Sequence, residues 1–352
     1  MQVENFALGA FALLPALLGV AVWCFFRLRR VPRSEGVPPA NDSGPVELMI
    51  GNVLVLALLL SLVLPVGEAY YRWFYATTES FGFSKVGRDW YREHFHKNES
   101  GFRDSLAEYH LEPSAGVRRI SFLGDSFTAG QGVPDVDDRF ANRVRALLPG
   151  MEVHALADNG WNTAVEQSKL DEIARAGYRL DRVVLVYVLN DAADLVPEWQ
   201  ESVKRLATSR DEPFLVEASY LINTFYYRWQ AVYDPEISSY YDLMLSSYEG
   251  PLWEEQKRRL EALATSIEGR GGSLQVVTFP FLNLLGEEYP YRSVHQQLDA
   301  FWKAEGVPHL DLLEVYSPLD PGDLVVNSFD AHPNERAHEI AARAIVRFLE
   351  AD

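Results

Sequence analysis

Apolar residues follow two regimes along this chain. Near the start they come almost unbroken. Phe6 to Phe26 form an apolar run of about 21 residues interrupted only by Pro15, and Val46 to Val66 form another; each reaches the roughly 20 residues with which a helix crosses a bilayer. From about residue 117 onward the runs are short. Strand-like segments at Ile120–Leu123, Val153–Leu156, Val183–Val188, Leu274–Phe279 and near His309–Leu313 alternate with stretches of helical period. The first helical stretch is Phe140, Val144, Leu147 and Leu148, closed by Pro149-Gly150. Thr163 and Glu166 then read as a capping box ahead of Leu170, Ile173 and Ala174. Leu260, Leu263, Ala264 and Ile267 follow, then Val294, Leu298 and Phe301, and last Ala337, Ile340, Ala341, Ala344 and Phe348. Five strands joined by helical crossovers predict an α/β fold with a parallel, doubly wound sheet.

The candidate chemistry sits where that alternation begins and ends. Gly124-Asp125-Ser126-Phe127 follows the first strand, and Asp330-Ala331-His332-Pro333-Asn334 opens the last helix. A hydroxyl is a poor nucleophile at neutral pH, so a reactive serine needs a base, and the base needs an orienting carboxylate. Ser126, His332 and Asp330 supply all three. Either run alone reads equally as a turn, with Asp330 and Asn334 as helix caps. Two further residues raise the odds. Gly160 and Asn190 each fall just past a predicted strand, where open α/β sheets place their ligand sites. The plain readings are a turn residue for Asn190 and a loop glycine for Gly160.

These four blocks, in this order, resemble the SGNH/GDSL hydrolases over roughly residues 117–350. The resemblance implies a flavodoxin-like three-layer α/β/α sandwich with a five-stranded parallel sheet. It also implies catalysis by Ser126, His332 and Asp330, and an oxyanion hole from the Ser126 N–H, the Gly160 N–H and the Asn190 side chain. No cofactor and no metal is implied. Two positions depart from the commonest family pattern: Val188 stands where a glycine usually precedes the asparagine, and Asp330 is two residues before the histidine rather than three.

Charge and flanking residues orient the rest. The N-terminal tail Met1-Gln2-Val3-Glu4-Asn5 has no positive charge, which argues against a cleaved signal peptide. Arg27, Arg29, Arg30 and Arg33 follow the first run, so the Pro/Ser/Gly-rich segment 31–45 is expected inside and the domain after the second run outside. Tyr70, Tyr71, Trp73, Phe74 and Tyr75 read as an outer aromatic belt, although Arg72, Lys85, Arg88 and Arg92 also follow the second run. The 352 residues carry a formal charge of -18, which excludes nucleic acid as a partner class. The single Cys24 lies in the first run and gives no disulfide framework.

The expected layout is a membrane anchor over 1–75 with spans at about 6–26 and 46–66, a connector over 76–116, and a catalytic domain over 117–352. An insertion at about 192–252 carries Tyr220, Phe225, Tyr226, Tyr227, Trp229, Tyr233, Tyr240, Tyr241 and Tyr248. Aromatics with polar edges could wall a glycan site; the preferred reading is packing against the sheet, or rest on a bilayer surface. In the connector, Asn98 to Asp104 resembles a segment upstream of the serine block in membrane-anchored members. His94 and His96 are too few to predict a metal site. The leading function is a membrane-anchored esterase or deacylase acting on ester-linked acyl groups, O-acetyl among them, of an extracytoplasmic glycan or lipid. An O-acyltransferase with the same triad and a non-catalytic scaffold of polysaccharide assembly are the alternatives.

Overall fold

A computed structural model describes residues 2–29, 44–79, 82–208 and 212–351. The chain forms two compact units: Met1–Ala76 with Ser84–Val86 and Asp211–Arg228, and Thr77–Phe83 with Gly87–Arg210 and Trp229–Asp352. The expected insertion therefore divides. Residues 211–228 belong with the apolar helices, and its two flanks belong with the sheet.

The first unit is built on helices Gln2–Arg29 and Pro45–Trp73, which pack against each other. Both are long and apolar enough to cross a membrane, with mean hydropathies of 2.2 and 2.5. Their outward residues, such as Leu13, Leu17, Leu59 and Val63, are exposed, which suits apolar surroundings on every side. The segment joining them, with Arg30 and Arg33, lies outside the described residues. Near the end of the second helix, Glu68 is fully buried. Its carboxylate accepts from the Ser219 hydroxyl at 2.7 Å and from the Tyr220 and Leu221 N–H groups at 3.1 and 3.0 Å. The two N–H groups belong to the first turn of helix Tyr220–Tyr233, so a remote side chain caps that helix. Gly67 permits the approach: a Cβ there would meet the Leu221 side chain at 3.0 Å.

The second unit holds a parallel sheet of five strands: β1 Arg118–Gly124, β2 Met151–Ala157, β3 Arg182–Val188, β4 Ser273–Phe279 and β5 His309–Asp311. The order is β2-β1-β3-β4-β5, and every residue of β3 is buried, as its Val/Leu-rich run demands of a central parallel strand. Helices Phe140–Leu147 and Glu335–Glu350 pack together, as do Thr163–Arg175 and Gly250–Glu268. Strand order reverses between β1 and β3, the switch point outside which such sheets bind ligands. A separate antiparallel pair, β6 Val325–Asn327 and β7 Asp330–Pro333, precedes the last helix.

One local expectation is corrected. The helix after β2 is capped by Asn162, whose side chain accepts from the Val165 N–H at 3.1 Å. Thr163 is already inside the helix, its hydroxyl accepting from Gln256 at 2.7 Å. Glu166 is fully buried instead of reaching back to the cap. The extended backbone of Asn162 puts its amide first in line for the free N–H groups.

Candidate active site

β1 ends at Gly124, and the chain turns at once into the single helical turn Ser126–Ala129. Asp125 caps that turn, accepting from the Phe127 N–H at 2.9 Å. Gly124 is required here: a Cβ would lie 2.3 Å from the Thr128 hydroxyl and 3.0 Å from the Val186 carbonyl of β3. The tight turn leaves Ser126 at the exit of β1, beside the exit of β3.

β7 brings the partners. In a strand, side chains two residues apart share a face, so the Asp-x-His spacing sets Asp330 and His332 side by side. The Asp330 carboxylate hydrogen-bonds His332 Nδ1 and also accepts the His332 backbone N–H at 3.0 Å. His332 Nε2 lies 2.8 Å from Ser126 Oγ. The cap of the following helix is Asn334, which accepts from the Ala337 N–H at 3.0 Å. Asp330 is thus free of the capping role that the sequence left open.

The electrostatics follow from burial and this pairing. Burial alone would lower the His332 pKa, but the Asp330 carboxylate reverses that and holds it above its ordinary value. Asp330, which burial would raise, is held below the usual carboxylate range by His332. Asp125 is pushed up to about 6 by burial, against the opposing pull of the Phe127 N–H and His332. Behind the site, Glu166 and Asp191 are fully buried and raised well above ordinary values, by burial first and by neighbouring carboxyls second.

Asn190 follows β3 in a turn fixed by Asp191, whose carboxylate accepts from the Val188 N–H at 2.9 Å. Val188, in place of the usual glycine, is accommodated as a buried strand residue. The Asn190 side chain lines a cavity of about 800 Å³ together with Phe127, Tyr240, Tyr241, Phe281 and His332. Gly160 stands in the loop after β2 with φ +75°, exposed, and is not among the residues lining that cavity. The structure therefore joins Ser126, His332 and Asp330 by hydrogen bonds and sets Asn190 on the wall of the cavity that His332 and Asp330 also line. The aromatic set of the insertion divides as well. Tyr240 and Tyr241 wall the cavity, Tyr248 is buried against Tyr187 and the Leu189 carbonyl, and Phe225, Trp229 and Tyr233 are exposed.

Arg103, in the connector, has a role that the residue pattern did not reveal. Its guanidinium is 1% exposed and donates to the carbonyls of Ala129, Gly130, Val133 and Pro134 at 3.2, 2.5, 2.6 and 3.2 Å. Those carbonyls are the C-terminal end and continuation of the Ser126 turn, so one buried cation braces the loop that carries the hydroxyl. Burial and the nearby Arg139 lower its pKa to about 10. Asp104 beside it receives Arg139 and Arg145. The available signal was the block Asn98 to Asp104 itself, whose Asn98 side chain closes a turn onto the Ser100 and Phe102 N–H groups.

Residues 122–340 match the model of the GDSL-like lipase/acylhydrolase family. The chain belongs to that family. GDSL-type acylhydrolases act on ester bonds, and this chain is an ester-bond hydrolase of that type. Solved structures similar to it include the lipase/acylhydrolase from Enterococcus faecalis, at 15% identity and a TM-score of 0.40, covering 67% of this chain and 96% of that one. A member of the lipolytic protein G-D-S-L family from Veillonella parvula DSM 2008 is similar at 14% identity and 0.40, with coverages of 66% and 97%. A catalytic mutant of Axe2, an acetylxylan esterase from Geobacillus stearothermophilus, is similar at 15% and 0.40, with 68% and 96%. No curated protein matches the chain.

Proposed function

We propose that this GDSL hydrolase is a membrane-anchored serine esterase that removes acyl groups, O-acetyl among them, from an extracytoplasmic glycan or lipid. The observation that carries the reading is the continuous path from the Asp330 carboxylate through His332 to Ser126 Oγ, with Asp330 and His332 lining the cavity. Ser126 Oγ attacks the ester carbonyl while His332 Nε2 takes its proton. The resulting oxyanion is held by the Ser126 and Gly160 N–H groups and the Asn190 amide. His332 gives the proton to the leaving alcohol, then takes one from water as that water attacks the acyl-enzyme; as the bond to Ser126 Oγ breaks, His332 hands this proton back to the serine and the acid is released. Asp330 keeps the imidazole in the right tautomer and balances the imidazolium formed in each step.

Tyr240, Tyr241 and Phe281 give the cavity walls on which a sugar ring stacks. The cavity volume also favours a second reading, transfer to a sugar hydroxyl. About 800 Å³ is within the range of whole small-molecule sites and far exceeds an acetyl group. An acceptor bound there would replace water in the second half-reaction. Labelling the full chain with a fluorophosphonate, then assaying ester turnover with and without a glycan acceptor, tests both. Labelling lost in Ser126→Ala and products consisting of free acid support hydrolysis; acceptor-dependent loss of free acid supports transfer; no labelling at all overturns both. The exterior placement is tested by alkaline phosphatase fusions, expected to be active after Phe74 and silent near Gly36.

A further inference from the structure

In the unit built on the apolar helices, residues from the β3–β4 insertion lie against the ends of both candidate spans. Phe214, in helix Phe214–Ala218, meets Phe6 near the start of the first span, ring centres 5.6 Å apart and edge-on. The first turn of helix Tyr220–Tyr233 is bonded by Glu68, and Phe225 meets Tyr71 at 6.0 Å. Phe6 and Tyr71 therefore mark one level of the hairpin, the end at which both apolar helices leave their apolar stretch. At that level Phe214, Leu215 and Phe225 remain 54%, 53% and 55% exposed, with the Phe214 ring against the exposed ring of Phe6.

We propose that Phe214, Leu215 and Phe225 enter the headgroup–acyl boundary of the bilayer that the two helices cross, making the insertion a second, interfacial membrane contact. The proposal rests on the membrane-anchored reading. Continuity with the span surface names the occupant: a large apolar patch joined to the flank of a spanning helix faces whatever that helix faces. Charge narrows the lipid chemistry. Between Glu212 and Arg228 the segment carries two acids, Glu212 and Glu217, and one base, Arg228, so attraction to anionic lipid is not the driving force. Burial of apolar side chains is, and neutral phosphatidylcholine suffices.

The test uses the full chain with Cys24→Ser in phosphatidylcholine vesicles. A polarity-sensitive fluorophore is placed on one introduced cysteine at a time: Leu215→Cys, Phe225→Cys, or Leu59→Cys within the second apolar helix. Retained ester turnover certifies that each labelled protein is folded. Nitroxide lipids labelled near the headgroup or deep in the acyl chain are the quenchers. The expected result is several-fold stronger quenching of the Leu215 and Phe225 labels by the shallow nitroxide than by the deep one, unchanged in high salt, with the reverse preference at Leu59. Quenching at Leu59 alone overturns the interfacial contact and leaves the anchor intact. Labels at 215 and 225 that resist both lipid and aqueous quenchers overturn it in favour of a protein partner, a second copy included. No lipid quenching at Leu59 removes the anchor and the proposal with it.

Discussion

Buried carboxyl groups on the two sides of the Ser126 turn stand in opposite states. Asp330, on the β7 side, has an imidazole against it and is held below the usual carboxylate range although fully buried. On the sheet side, Glu166 and Asp191 face other carboxyls, and their pKa values rise well above the ordinary range; Asp125, which accepts the Phe127 N–H and has His332 near it, is raised by burial only to about 6. Both Glu166 oxygens lack a hydrogen-bond partner among the described residues. Burial is common to the two sets, so burial alone does not set the direction of the shift; what faces the buried carboxyl does. The comparison separates a carboxylate bonded directly to an imidazole from carboxyls that lack such a bond.

The strongest test of that separation removes the group that makes the difference. His332→Ala, and likewise Ser126→Ala, should lower ester turnover by several orders of magnitude with the melting temperature little changed, because neither side chain is needed to close the core. Steady-state assays beside thermal melts check this. Next is Asp330→Asn. In the triad template, disabling the acid lowers turnover by about 10⁴, and the loss here should stay somewhat below that of His332→Ala. Its pH signature is specific. The base works when neutral, so activity falls as pH drops through the His332 pKa, which lies above the ordinary value of about 6.5. Without the carboxylate that raises it, the acid limb of the kcat/KM profile should move to lower pH. An unmoved limb would mean that Asp330 is not what tunes the base.

Asn190→Ala should cost roughly 10² to 10³ in kcat, the usual loss for one oxyanion donor, with the fold intact. The smallest effect is expected on the sheet side. Glu166→Gln keeps the shape of the buried side chain and removes its titration, so turnover should barely change. Stability carries the signal instead. A carboxyl raised in the folded state binds its proton more tightly there than in the unfolded chain. Stability is therefore lost as pH rises from the unfolded pKa toward the folded one. Denaturation at several pH values from about 4 upward should show a flatter loss in Glu166→Gln. A rate defect as large as that of Asn190→Ala would erase the distinction between the two sets.

Sequence periodicity was enough for features that one element specifies by itself. Four of the five strands are local apolar runs, the fifth, His309–Asp311, lies just ahead of Leu312 and Leu313, and the residues that follow β1 and β3, Ser126 and Asn190, were readable as strand-exit positions. Even the two-residue gap between Asp330 and His332 became intelligible once β7 proved to be a strand. What periodicity did not supply depends on partners far along the chain. Asn162 is the cap through its extended backbone, and the Thr163 hydroxyl instead meets Gln256 from a distant helix. Arg103 reads as an ordinary connector arginine until four carbonyls from the Ser126 loop surround it. Residues 211–228 read as part of a catalytic-domain insertion until Glu68 claims their donors.

That last bond bears on how the chain is made. Glu68 precedes Ser219 by 151 residues, so the second apolar helix is synthesised long before its buried carboxylate meets its donors. Until then the side chain needs water or another donor. The apolar-helix unit is therefore completed late, by a segment that lies beyond three of the five sheet strands in the chain. Cutting at residue 76 would strip helix Tyr220–Tyr233 of its cap and bare Leu221, so residues 1–76 are not a self-contained module. A transplanted helix pair would have to bring both halves of that clasp with it.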